Sequence, residues 1–167
     1  LGIEPSAILT FRDEYPDLLR GDEKRQAKEL SNNCLLIDEF LAREMDAGRI
    51  RPEAFAKNPA AVHLNGHCQQ KAVASLTPTV KILEQLAGHD VRVIPSGCCG
   101  MAGSFGYENE HFDVSQKIGE LVLFPRVRKS GEGDFVAAPG TSCRHQIHDG
   151  TGRVAHHPVE LLRRALS

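Results

Sequence analysis

No stretch of the chain approaches the ~18 consecutive apolar residues that a membrane-spanning helix needs, and no signal peptide opens it. There is no basic excess either: the formal net charge is −2, and the lysines and arginines are scattered. A nucleic-acid partner is therefore not expected, and a soluble cytoplasmic chain is, meeting the inner membrane only through partners. The cysteines lack the even count of a secreted disulfide framework, since there are five. They also lack any C-x₂-C pair, the usual spacing of a structural zinc hairpin. Gly100, Gly103 and Gly106 do not give the Gly-x-Gly-x-x-Gly spacing, so no flavin or nicotinamide fingerprint is present.

What is present describes an ordinary folded protein. In 167 residues, 41% are hydrophobic and 25% charged, enough for one good core or for one domain with a fragment of another. The first residue is Leu1, in a stretch that reads like the end of a strand, and a piece of a longer protein is expected.

Along the chain, residues 1–3 read as a strand stub and residues 13–19 as a polar turn. Residues 22–45 read as one helix closed by Ala47-Gly48, and residues 51–58 as a linker. Three strand-then-loop units follow. Residues 62–64 end at Asn65-Gly66-His67-Cys68, residues 91–94 at Gly97-Cys98-Cys99-Gly100, and residues 135–138 at Gly140-Thr141-Ser142-Cys143. Between them, a helix starts at Thr77, taken as its N-cap with Pro78 first in the helix. A second covers residues 110–124, with Phe112, Ile118, Leu121 and Val122 facing inward and Pro125 closing it. Ala155 then leads into a last helix over residues 159–166, with His156-His157-Pro158 as its entry.

Strands alternating with helices predict an α/β fold with a parallel sheet flanked by helices. Right-handed crossovers place all strand C-terminal ends on one edge, where ligands of open α/β sheets bind. Cys68, Cys98, Cys99 and Cys143 each follow such an end, so these four are predicted to meet. Cys34, before an apolar helix face, reads as a small core residue.

Two adjacent thiolates chelate one small ion awkwardly, but they reach different irons of a cluster. An iron–sulfur cluster is therefore the favoured content, with metal ligands Cys68, Cys98, Cys99 and Cys143; it is taken as 4Fe–4S, although the sequence does not specify the cluster's type. Structural zinc and an unmetallated thiol or disulfide site stand as alternatives. His67, Gly100 and His145 are candidates to support the sulfurs from behind, and Lys71 and Arg144 to offset their charge. No residue is assigned a catalytic role.

There is also a short internal match. Glu4-Pro5-Ser6-Ala7 stands after a strand as Gly140-Thr141-Ser142-Cys143 does, and residues 38–43 resemble residues 159–164. Residues 1–58 are thus expected to be the tail of a preceding degenerate repeat plus a linker, and residues 59–167 a complete unit.

These motifs resemble the cysteine-rich CCG domain, known from heterodisulfide reductase and from the iron–sulfur protein of glycolate oxidase. They also resemble the C-terminal portions of FAD-linked D-2-hydroxy acid oxidases. The family pattern is a Cys, then Cys-Cys-Gly, then a closing Cys-x-x-Cys. Cys68, Cys98, Cys99 and Cys143 fill four places, whereas Cys143-Arg144-His145-Gln146 leaves the fifth without a cysteine. The resemblance implies FAD in a flavin domain elsewhere in a longer chain or complex. That domain would oxidise D-lactate, glycolate or D-2-hydroxyglutarate, and electrons would be relayed through the cysteine centre to an acceptor the sequence does not specify. On this reading the chain by itself has no dehydrogenase activity.

Overall fold

Short apolar runs, three of them ended by Asn, Gly or Pro turns, become the strands of one sheet in the computed structural model, which describes residues 1–166. They are β1 (Ala61–Leu64), β2 (Asp90–Val93), β3 (Phe135–Ala137) and the two-residue β4 (Ala155–His156). All pair parallel in the order β2-β1-β3-β4, with Val62 opposite both Val91 and Phe135. The expected parallel α/β fold is therefore present, and β1 lies inside the sheet.

Ten α-helices accompany the strands among the described residues. Four precede the sheet: α1 (Pro5–Ile8), α2 (Glu14–Leu18), α3 (Gly21–Ser31) and α4 (Ile37–Asp46). Then come α5 (Cys68–Val73), α6 (Thr77–Gln85), α7 (Phe112–Leu121), α8 (Leu123–Arg128), α9 (Thr141–Thr151) and α10 (Pro158–Ala165).

The sheet separates two apolar clusters, as alternation of side chains along a strand requires. On one face Val62, Leu64 and Ala137 pack with Ala42 of α4, Ile82 and Leu83 of α6, and Leu161 and Leu162 of α10. On the other, Val136 and Ala138 pack with Leu123, Phe124 and Val127 of α8 and Ile147 of α9, and Cys99 and Cys143 belong to this second cluster.

The N-terminal segment closes on itself and is tied through α4 to α5 and α6. Gly2 bridges Leu36 in parallel fashion, through Gly2 N–H to the Leu35 carbonyl at 3.0 Å and Ile37 N–H to the Gly2 carbonyl at 2.9 Å. Buried Asp38 of α4 accepts from Gln70 Nε2 at 3.1 Å and from the Thr79 hydroxyl, which couples α4 to α5 and α6. Burial raises the Asp38 pKa against those donors.

Several element expectations are corrected. Residues 22–45 form two helices, because the chain leaves α3 at Asn32 and runs extended at Leu36, the N-cap of α4. Residues 14–18 are helical rather than a turn. Thr77 is the first helical residue, and Leu76 occupies the N-cap. The helix expected over 110–124 breaks at Val122, and Pro125 lies in the first turn of α8, where a missing N–H costs nothing. The inward face of α7 is also different. Phe112 is 50% and Leu121 78% exposed, while Ser115 and Gly119 are buried. The Phe124 ring explains this: it lies where a Cβ on Gly119 or Gly150 would have to be, so small residues must face it.

Candidate functional site

Each predicted sulfur is delivered to the C-terminal edge of the sheet. Cys68 opens α5 just beyond β1, Cys98 and Cys99 lie in the turn beyond β2, and Cys143 sits in the first turn of α9 beyond β3. The four side chains form one continuous line of electrostatic neighbours: Cys68 beside Cys98, Cys98 beside Cys99, and Cys99 beside Cys143. None is in a disulfide; Cys68 is exposed, Cys98 half-buried, and Cys99 and Cys143 buried. Cys34 is buried in the N-terminal segment, as its core reading required.

The line is electrically uneven. Cys98 is held far below the ordinary thiol range by the neighbouring Cys68 and Cys99 thiols and by the backbone amides of Gly100 and Ala102, which outweigh its burial. The Gly100 N–H reaches Cys98 Sγ at 3.3 Å. Cys68 is pushed up by the neighbouring Cys98 sulfur, by burial and by the charge of Cys98 and Cys143. Cys99 is pushed up in the same way, through Cys143 and Cys98 and then through burial.

The turn that carries Cys98 and Cys99 is built for close approach. Gly100 has φ +100°, and a Cβ there would overlap the Ser115 carbonyl oxygen. Ala102 is the one non-glycine with positive φ among the described residues, at 41°. Lys71, on α5, donates from Nζ to the carbonyls of Ser96 and of Gly97, the latter at 2.9 Å. Arg144 likewise holds the carbonyls of Ala138 and Pro139 at 2.9 and 2.8 Å. Both cations therefore clamp backbone at the loops that bear the cysteines.

His67 is the N-cap of α5. Its Nδ1 accepts the Gln69 N–H at 3.2 Å, which leaves the ring proton on Nε2, 4.0 Å from Glu4 Oε1. Burial keeps the His67 pKa low. The ring also occupies the space a Cβ on Gly140 would take. His145 is placed differently: it is exposed, and its Nδ1 pairs with the Tyr107 hydroxyl at 2.7 Å.

Sequence reasoning missed four contributors. Glu4 accepts the Thr141 N–H at 2.8 Å from the far end of the chain. Ser96 and Asn65 join the turns after β2 and β1 through Ser96 Oγ to Asn65 Oδ1, whereas Asn65 Nδ2 is buried without a hydrogen-bond partner. Gln146, at the fifth cysteine place, is fully buried and donates to the Ser115 carbonyl and hydroxyl, bracing α9 against α7. Only its spacing from Cys143 marked it in the sequence.

Among the described residues, no group of three or more His, Cys, Asp or Glu side chains surrounds a common point in the manner of a single-ion site. The donor chemistry nevertheless suits a thiophilic, multinuclear group. Four sulfurs lie together, glycines at positions 100 and 140 keep the backbone close to them, and a buried amide donor on the same sheet edge lacks an acceptor. No helix among the described residues is long and apolar enough to cross a membrane.

Comparison with known proteins finds relatives that include two dehydrogenases and a lactate utilization protein. It is 32% identical to one of the subunits of the anaerobic glycerol-3-phosphate dehydrogenase of Escherichia coli, over 99% of this chain and 40% of that protein. It is 30% identical to a D-2-hydroxyglutarate dehydrogenase of Pantoea ananatis, over 97% of this chain and 15% of that protein. It is 29% identical to lactate utilization protein A of Macrococcus caseolyticus, over 96% of this chain and 66% of that protein. The chain thus spans less than half the length of the first two. No family model and no solved structure matches.

Proposed function

We propose that this chain, a relative of those dehydrogenase segments, is the CCG-type electron-relay module of a flavin-linked oxidoreductase acting on a 2-hydroxy acid or a comparable alcohol substrate. Its resident group would be an iron–sulfur cluster held by Cys68, Cys98, Cys99 and Cys143, which supplies one-electron transfer when bound. The observation that carries the reading is the convergence of four cysteines from three separate strand ends into one line of sulfurs. A fold has no structural need to keep vicinal thiols in a glycine turn at its ligand-binding edge.

The chain's own residues do the rest. Gly100 and Ala102 donate backbone N–H groups toward Cys98, favouring its thiolate form. Lys71 and Arg144 fix the loops, and the free Asn65 amide offers a further donor. FAD and the substrate would sit in a flavin domain of the same longer chain or of a complex, in keeping with relatives far longer than this chain. On this reading the 167 residues alone do not oxidise substrate.

The same proposal takes residues 1–58 as the tail of a preceding copy. Support comes from the helix starts. Glu4 and Gly140 are N-caps of α1 and α9, and Leu36 and His157 are N-caps of α4 and α10, as the internal match pairs them. Ala7 then stands where Cys143 stands in the second copy.

The test is iron and acid-labile sulfide content, with a visible spectrum, on protein purified without oxygen. Matched iron and sulfide, abolished in Cys98→Ser, are expected. A folded, colourless protein with four reactive thiols would overturn the cluster and shift the assignment to thiol redox chemistry at Cys98. One tight zinc, with stability lost on chelation, would instead indicate a structural metal.

A further inference from the structure

Glu4 lies more than sixty residues before the first of the four cysteines, yet its carboxylate stands where two of their helices begin. Oε2 accepts the Thr141 N–H at 2.8 Å, in the first turn of α9 that carries Cys143. Oε1 accepts the Ser6 hydroxyl at 2.9 Å and faces His67 Nε2 at 4.0 Å. His67 in turn caps α5, whose first residue is Cys68, and its ring is wedged against Gly140. The segment that carries Glu4 is itself anchored, because His157 Nε2 donates to the Ile3 carbonyl at 2.9 Å.

We infer that Glu4 is a positioning residue for the thiol centre: through Thr141 and His67 it sets the separation of the helix starts that present Cys143 and Cys68. A charged acceptor on a backbone N–H is among the stronger hydrogen bonds a protein makes. Both helix starts are thereby reached from one carboxylate, by a hydrogen bond at Thr141 and a contact at His67. The N-terminal segment is thereby a working part of the site rather than a bystander, whatever its ancestry.

Two readouts separate this inference from the cluster assignment on which its metal consequence rests. The first uses metal-free, reduced protein and a maleimide, with labelled positions identified by mass spectrometry. In Glu4→Ala, labelling of buried Cys143 is expected to accelerate by about tenfold, while buried Cys34 keeps its wild-type rate. Glu4→Gln, which retains an acceptor oxygen for Thr141, should recover most of the protection. Unchanged Cys143 labelling in Glu4→Ala overturns the inference. So does equal acceleration at Cys34, which would signify general loosening. The second readout is iron and sulfide retained after anaerobic reconstitution: a loss in Glu4→Ala, with recovery in Glu4→Gln, is expected. If wild-type protein takes up no iron, the cluster assignment falls and the labelling result still decides the role of Glu4.

Discussion

Gly100 is the position near the sulfurs with the least room for any other residue. Its φ of +100° is unfavourable for an L side chain, and a Cβ would overlap the Ser115 carbonyl that Gln146 also holds. Gly100→Ala is therefore expected to lower the unfolding free energy by about 3 kcal/mol, combining backbone strain and overpacking. Urea denaturation checks this, and a loss below about 1 kcal/mol would show that the turn relaxes freely. The special status of Gly100 was legible in the sequence, since Cys-Cys-Gly after a strand invites it. The roles of Glu4, Asn65 and Gln146 were not, because each depends on a partner distant in sequence and brought close by the sheet. His145 lay next to a ligand candidate in the sequence, yet the helical turn carries it outward to Tyr107.

Among elements, strands were easier to read than helices. Residues 61–64, 90–93 and 135–137 are short runs with clear stops, and they lie within a residue or two of where those runs and stops put them. Helices α5 and α9 went unseen. Their sequences are polar, and α5 is capped by His67 rather than by Ser, Thr, Asp or Asn, while α9 borrows Glu4 from the start of the chain. The division between α7 and α8 was hidden because Pro125 reads as a stop, although it is equally at home in a first turn. Which face of α7 turns inward was misread for a packing reason, the Phe124 ring between Gly119 and Gly150. This yields a paired prediction. Phe124→Ala should cost about 3–5 kcal/mol, whereas Leu121→Ser should change stability by less than about 0.5 kcal/mol. Comparable losses at the two positions in urea unfolding would contradict the packing described for α7 and α8.

Over the whole molecule, buried histidines set the response to acid. His67, His89 and His157 are each held below the usual histidine range, chiefly by burial. In the unfolded chain they take up protons near pH 6.5, which the folded chain accepts only at lower pH. The unfolded state therefore binds more protons in that window, and stability falls as pH falls through it. Asp38 acts in the opposite sense from about pH 3.8 upward, because its raised pKa makes the folded state the better proton binder there. With three imidazoles against one carboxyl, the urea midpoint at pH 5 should lie below that at pH 7.5. His157→Asn should make the dependence shallower, since asparagine caps a helix without titrating. A midpoint independent of pH would mean that these rings are not buried as neutral groups.

Because every strand in the order β2-β1-β3-β4 runs parallel, no neighbouring pair can zip together from a tight hairpin, and each pairing waits for a complete crossover. The three strands whose ends carry the cysteines include β3, more than two-thirds of the way along the chain. During synthesis Cys68, Cys98 and Cys99 are therefore made before Cys143 exists to join them. A sheet of this connectivity also folds slowly, since its contacts close long loops. A complete four-thiolate set exists only once β3 and α9 have joined the sheet. In the interval, Cys98 and Cys99 are adjacent nucleophiles on an incomplete polypeptide, open to oxidants and to the wrong metal. Maturation of this protein is thus a problem of timing: the nascent chain needs a reducing environment until its last strands have closed.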